Sequence, residues 1–223
     1  MDIEKKLMSA EHFNNEVTKK TQIVLHHTAG SSNPVSVIDG WVATTTKVGA
    51  HFVIGGVSTH GDSTYDGKVY QAVDEDKWLW HLGIKAANAP DVPHGYVDKK
   101  SIGIEICCWA QLTKQADGTF LNYVNKPVPE QYVCDLGFEW RGFQYYQDYT
   151  DAQIASLKDL ISYLCDAHGI ELEKGRVFTV DDFETDIEAN KDRPLAFHVS
   201  FRKDKWDCFP TPKIIAMLNE IHA

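Results

Sequence analysis

The segment Ser101-Ile102-Gly103-Ile104-Glu105-Ile106-Cys107 is almost wholly apolar, yet it carries one carboxylate near its middle. Its isoleucines favour an extended backbone, and a strand this apolar has to be covered by other elements. Three more β-rich runs accompany it: Thr21–His27, Ala50–Gly56 and Lys68–Val73. Helical periodicity is strongest over Asp151–His168, where Ile154, Leu157, Leu160, Ile161 and Leu164 share one face. Thr150 or Asp151 is placed to cap that helix, and Gly169 to stop it. Val35–Val48 and Lys213–Ile221, the latter preceded by Pro210-Thr211-Pro212, read as further amphipathic helices. Strands interleaved with helices predict a single α/β domain with a mixed central sheet flanked by helices.

The remaining regions are less regular. Residues 1–20 read as a short helical or irregular lead-in. The stretch 110–149 is long for a connection and dense in aromatics, so a hairpin or lid inserted into a domain spanning 21–223 is expected. Most of the six Trp, nine Tyr and ten Phe belong in the core, although polar-tipped rings also stack on sugars. Five cysteines without regular spacing do not form a disulfide framework and suit buried, reduced thiols.

Composition narrows the partners. A chain of 223 residues with 43% hydrophobic and 24% charged residues suits one globular domain. The formal charge of −10, with no basic cluster, excludes a nucleic-acid backbone as a natural ligand. No apolar run is long enough to span a bilayer, and no apolar signal region follows Met1. The expectation is a monomer that acts in the cytosol, is released as a phage lysin, or is exported with its signal removed.

Ten histidines are too many to read one by one. His26-His27 ends a hydrophobic strand, where neighbouring side chains point to opposite faces, so one of the pair is expected at a given site. His198 follows Leu195-Ala196-Phe197, and Lys205-Trp206-Asp207-Cys208 lies just beyond it. Two histidines with a carboxylate or thiolate and one open position form the ligand set of a catalytic zinc site.

These residues fall into a recognisable series. Ile23-Val24-Leu25-His26-His27-Thr28-Ala29-Gly30 resembles the first metal motif of the zinc N-acetylmuramoyl-L-alanine amidases of the amidase-2 family. Ala50-His51-Phe52-Val53-Ile54, Trp80-His81-Leu82-Gly83, Lys100–Ile106 and Phe197-His198…Lys205-Trp206-Asp207 resemble four further motifs in the family's order. The resemblance covers residues 21–212 apart from 110–149.

The resemblance implies a peptidoglycan recognition protein-like fold and hydrolysis of the amide between N-acetylmuramic acid and L-alanine, in peptidoglycan or muropeptides. It implies Zn2+ held by His26, His198 and Asp207, with Cys208 as the alternative third ligand because relatives use either residue type. It further implies Glu105 as general base and Lys205 beside the developing oxyanion. Trp80 and His81 are expected to line the cleft and contact substrate, with His27 in a supporting or binding role. A one-residue shift would exchange His26 and His27. For Glu105 the other reading is a carboxylate on an exposed strand face, since Ile102, Ile104 and Ile106 point the opposite way. Several relatives carry a tyrosine in the second strand, where this chain has Gly49-Ala50-His51-Phe52. The 110–149 stretch has no counterpart and is expected to shape the peptide side of the groove. The rival readings are a non-catalytic peptidoglycan-binding module of the same fold and another zinc hydrolase, the latter weakened by the lack of His-Glu-x-x-His.

Overall fold

A computed structural model describes residues 1–223. Eleven strands form two sheets. In chain order they are β1 (Ile3–Lys5), β2 (Gln22–His27), β3 (Phe52–Ile54), β4 (Val69–Gln71), β5 (Ser101–Ile106), β6 (Gln111–Lys114), β7 (Phe120–Leu121), β8 (Pro127–Val128), β9 (Val133–Trp140), β10 (Phe143–Gln147) and β11 (Leu195–Phe197). The helices are α1 (Pro34–Val42), α2 (Tyr96–Lys100), α3 (Asp151–His168), α4 (Ile187–Asn190), α5 (His198–Phe201) and α6 (Pro212–Ile221).

The six-stranded sheet has the order β1-β4-β3-β5-β2-β11. Strands β3, β5, β2 and β11 are parallel, while β4 is antiparallel to β3 and pairs in parallel with β1. The sheet is therefore mixed, as expected. Ile23, Leu25, Ile102, Ile104, Phe52 and Phe197 point to one face and pack with Leu157, Leu160, Ile161 and Leu164 of α3 and Ile214 and Leu218 of α6. The period-2 alternation sends Val24, His26 and Glu105 to the other face. That face is covered by a smaller cluster containing Leu82, Val97 and Phe201.

Helix α3 has the expected limits. Thr150 accepts from Gln153 N, the Gln153 side chain accepts from Thr150 N, and Gly169 ends the helix at φ +63°. Helix α1 is shorter than its periodicity suggests. Asn33 caps its start, but Thr44 Oγ1 turns back onto the Trp41 carbonyl at 2.9 Å. A threonine hydroxyl competing for helix carbonyls ends the helix before Val48. The lead-in is irregular with one short helical turn at Ala10–His12, except that Ile3–Lys5 pairs with Val69–Gln71 as an edge strand.

The 110–149 stretch builds the second sheet, antiparallel throughout, with the order β8-β7-β6-β10-β9. It is more than a hairpin, and it is no loose lid. Trp140, Tyr146 and nearby Tyr149 are buried in the main core, and Tyr146 and Tyr149 both stack on Phe209. Its aromatics serve first as anchors. All five cysteines are free thiols, four of them buried. No helix is long and apolar enough to cross a membrane.

Candidate metal centre and active site

Strand register assembles the site. His26 on β2 lies opposite Glu105 on β5, and Leu25 lies opposite Phe197 on β11, which leads directly into His198. Three parallel strands thus deliver two imidazoles and a carboxylate to their carboxyl ends, where open α/β sheets form ligand crevices. The cleft there has a volume of about 430 Å³. His26, His27, His81, Glu105, Lys205 and Asp207 all line it.

His26 Nδ1, His198 Nδ1 and an Asp207 carboxylate oxygen converge. The two nitrogens are 3.0 Å apart, and Asp207 Oδ2 is 2.8 Å from His198 Nδ1 and 3.2 Å from His26 Nδ1. Donors about 2.0–2.1 Å from a tetrahedral zinc are separated by roughly 3.3 Å, so this triangle has the size such an ion needs. Cys208 does not join it; its side chain is buried in the core cluster beside α6. Burial would push the Asp207 carboxyl up, but charge on His198 and protons donated by His198 and His26 hold it well below the ordinary carboxylate range, a part that a bound cation could take over. Burial lowers His26 to about 4, leaving its ring neutral at pH 7. A neutral imidazole and an ionised carboxylate are the protonation states that metal binding requires.

The hydrogen-bond network assigns the tautomers. Ser101 Oγ donates to the Val97 carbonyl at 2.6 Å, so it accepts from His81 Nε2 at 2.8 Å. The lone pair of His81 then lies on Nδ1 and accepts from His26 Nε2 at 2.8 Å. His26 is left with a bare Nδ1 facing the cleft. His198 donates from Nε2 to the Leu82 carbonyl at 2.9 Å, which bares its Nδ1 as well. In these neutral tautomers two lone pairs and an anionic oxygen lie within 3.2 Å of one another, an arrangement that calls for positive charge among them, whether a shared proton or a metal ion. The residues fit a divalent metal.

This relay gives each polar or small residue of the Ser-Ile-Gly-Ile-Glu strand a task. Ser101, Gly103 and Glu105 share the site face. Ser101 anchors His81, and a Cβ at Gly103 would lie only 3.1 Å from His81 Nδ1. Gly103 thus leaves room for the imidazole that Ser101 holds. Asp98 fixes the same loop by accepting from His81 N and Leu82 N at 2.9 and 3.0 Å. Ser101→Ala is expected to weaken zinc affinity by about 10–100-fold, measured by competition with a chromophoric chelator. Wild-type affinity in that variant would contradict the relay.

The other residues predicted from sequence are distributed as follows. Glu105 Oε2 and His27 Nδ1 are enclosed and have no hydrogen-bond partner within the protein. Burial pushes Glu105 up to about 8, with Asp207 adding to the effect and Lys205 opposing it. His27 packs edge-on to Phe209, with ring centroids 5.3 Å apart, while still bordering the cleft. Lys205 lines the cleft beside Asp207. Trp80 packs its ring against Trp78 and His94 at 4.9 and 4.7 Å, next to rather than among the residues that line the cleft. Its backbone supports the wall instead, accepting from Gly49 N. Sequence reasoning missed Ser101 and Asp98 as supports, and Trp41, Tyr123 and Trp206 as aromatic lining.

The sequence profile of the N-acetylmuramoyl-L-alanine amidases matches residues 16–207. No curated protein matches the sequence. Among solved structures, PlyL is 14% identical, with 100% of this chain and 98% of that chain covered at a TM-score of 0.51. AmpDH3 of Pseudomonas aeruginosa is 19% identical, with 92% of this chain and 61% of that chain covered at a TM-score of 0.50. These likenesses bear on the fold; the class comes from the profile, which spans both halves of the site. That class is the peptidoglycan amidases. The chain belongs to the N-acetylmuramoyl-L-alanine amidase family.

Proposed function

We propose that this amidase uses a zinc ion held by His26, His198 and Asp207 to hydrolyse the bond between the lactyl group of N-acetylmuramic acid and L-alanine. The observation that carries this reading is the triangle of three acceptor atoms 2.8–3.2 Å apart, two of them imidazole nitrogens bared by fixed tautomers. A zinc ion held there supplies Lewis acidity toward the amide carbonyl and toward the attacking water.

The remaining work falls to the protein's own residues. Glu105 takes the proton of the attacking water and hands it to the departing alanine nitrogen; burial keeps it protonated up to about 8 in the metal-free chain, and a cation bound beside Asp207 would favour the ionised form that acts as base. Lys205 places a cation where the carbonyl oxygen gains negative charge. His81 and Ser101 keep His26 in its tautomer, and His27 offers an unpartnered ring nitrogen at the cleft wall. The full ligand set together with Glu105 favours an enzyme over a binding module of the same fold. The substrate is peptidoglycan or its soluble muropeptides, and the protein acts as a monomer.

Mass spectrometry of purified peptidoglycan and of soluble muropeptides after digestion tests this. The expected products are stem peptides with a free L-alanine amino group and glycans with a free lactyl carboxyl. Activity on neither substrate, in the presence of zinc, would overturn the assignment.

A further inference from the structure

The turn between β9 and β10 reaches from the second sheet to the loop that carries Lys205 and Asp207. Arg141 and Gly142 form it, with φ of +48° and +87°. Two positive φ values suit a tight two-residue hairpin turn, where Asn or Gly is favoured at the first position. An arginine there is held in a conformation that non-glycine residues seldom adopt, which invites a reason.

Its contacts supply one. Arg141 Nη1 donates to the carbonyls of Lys205 at 2.7 Å and Lys203 at 3.0 Å, with Arg202 O at 3.5 Å. Nη2 donates to Thr185 Oγ1 at 3.1 Å, and that hydroxyl in turn donates to the Val199 carbonyl at 2.6 Å. The grip is reciprocal, because Trp206 Nε1 donates to the Arg141 carbonyl at 3.0 Å. Val199 N closes the same loop by donating to Asp207 O at 2.8 Å. One largely buried guanidinium thus gathers the backbone on the amino side of Lys205 and Asp207, and its own backbone holds the residue between them.

From this geometry we infer that Arg141 is a positioning residue: the second sheet uses it to clamp the 202–207 loop, setting Asp207 against the two histidines and Lys205 in the cleft. This inference rests on the metal reading above. It gives the sheet a part in catalysis distinct from lining the groove. The guanidinium fork reaches the loop carbonyls with Nη1 and Thr185 with Nη2 at once, whereas a lysine has a single nitrogen to serve both.

Arg141→Asn is the informative variant, since asparagine suits the turn and should preserve the hairpin. Together with Trp206→Phe, it is to be compared with wild type in the 223-residue chain. Arg141→Asn is expected to keep its melting temperature within a few degrees, to bind zinc about 10–100-fold more weakly, and to lose about 10–100-fold in kcat. KM should stay within about twofold, and Trp206→Phe should move both quantities the same way by less. Metal-free Arg141→Asn should also be cut faster by trypsin at Arg202, Lys203 or Lys205. Wild-type zinc affinity, kcat and trypsin resistance in Arg141→Asn would overturn the clamp. If wild type itself took up no zinc, the metal reading would fail, and the trypsin rates of the metal-free proteins would still decide the clamp.

Discussion

Glu105→Gln is expected to lower kcat by about two to four orders of magnitude while zinc affinity stays within a few-fold of wild type. The substitution keeps the shape of the side chain and removes only its ability to carry a proton. Glu105 stands on the central strand between β3 and β2, its backbone in register with Val53 and His26. Its Oε2 has no partner inside the protein, so amide replacement breaks no internal hydrogen bond there. Folding supplies a second readout. Burial raises this carboxyl to about 8 in the metal-free protein, whereas an unfolded glutamate loses its proton near the ordinary 4.5. Between those values the folded chain holds a proton that the unfolded chain has released, so stability falls as pH rises through the window. Metal-free Glu105→Gln lacks this group. Its melting temperature should gain on wild type from pH 4.5 to pH 8, and a constant difference would mean that Glu105 is not held in a desolvated site.

Asp207→Ala and Cys208→Ala should part company completely. Loss of the Asp207 carboxylate removes the only anion of the triangle and leaves two imidazole lone pairs 3.0 Å apart. Zinc affinity should fall by more than about 100-fold, with activity at physiological zinc lost in proportion. Cys208→Ala should retain zinc and turnover, because its thiol lies in the core; burial pushes that thiol well above its ordinary range, which disfavours a thiolate. Its cost is a small core defect of about 1 kcal/mol, visible as a modest drop in melting temperature. Chelator competition on both variants distinguishes them. Zinc retained by Asp207→Ala and lost by Cys208→Ala would reverse the ligand assignment.

Much of this architecture was legible before any coordinates. The strands at 22–27 and 101–106 and the helix at 151–168 carry strong local signals, in apolar runs and in a capping box closed by glycine. Motif order pointed to His26, His198, Glu105 and Asp207, and the structure brings these four to one cleft. What the sequence could not display depends on register and on distant partners. Which of His26 and His27 faces His198 follows from pairing with Glu105, and Asp207 is separated from Cys208 by the direction each side chain takes from the loop. The packing of Trp80 against Trp78 and His94 was likewise hidden, because a motif neighbour of His81 need not share its face and adjacent side chains diverge. The second sheet escaped because β7 and β8 have only two residues each and its aromatics look alike whether they anchor a core or line a groove. Ser101 stood within a quoted motif, but its link to His26 through His81 becomes visible only once three separate segments meet.

The most direct test is a zinc titration of chelator-stripped wild-type protein, followed by calorimetry and by release of L-alanine from an N-acetylmuramoyl-L-alanine substrate on the same samples. The account predicts one high-affinity zinc per chain and activity that rises from near zero to full value at that equivalence point. A stripped protein that stays fully active, or that takes up no zinc while His26, His198 and Asp207 are intact, would contradict it.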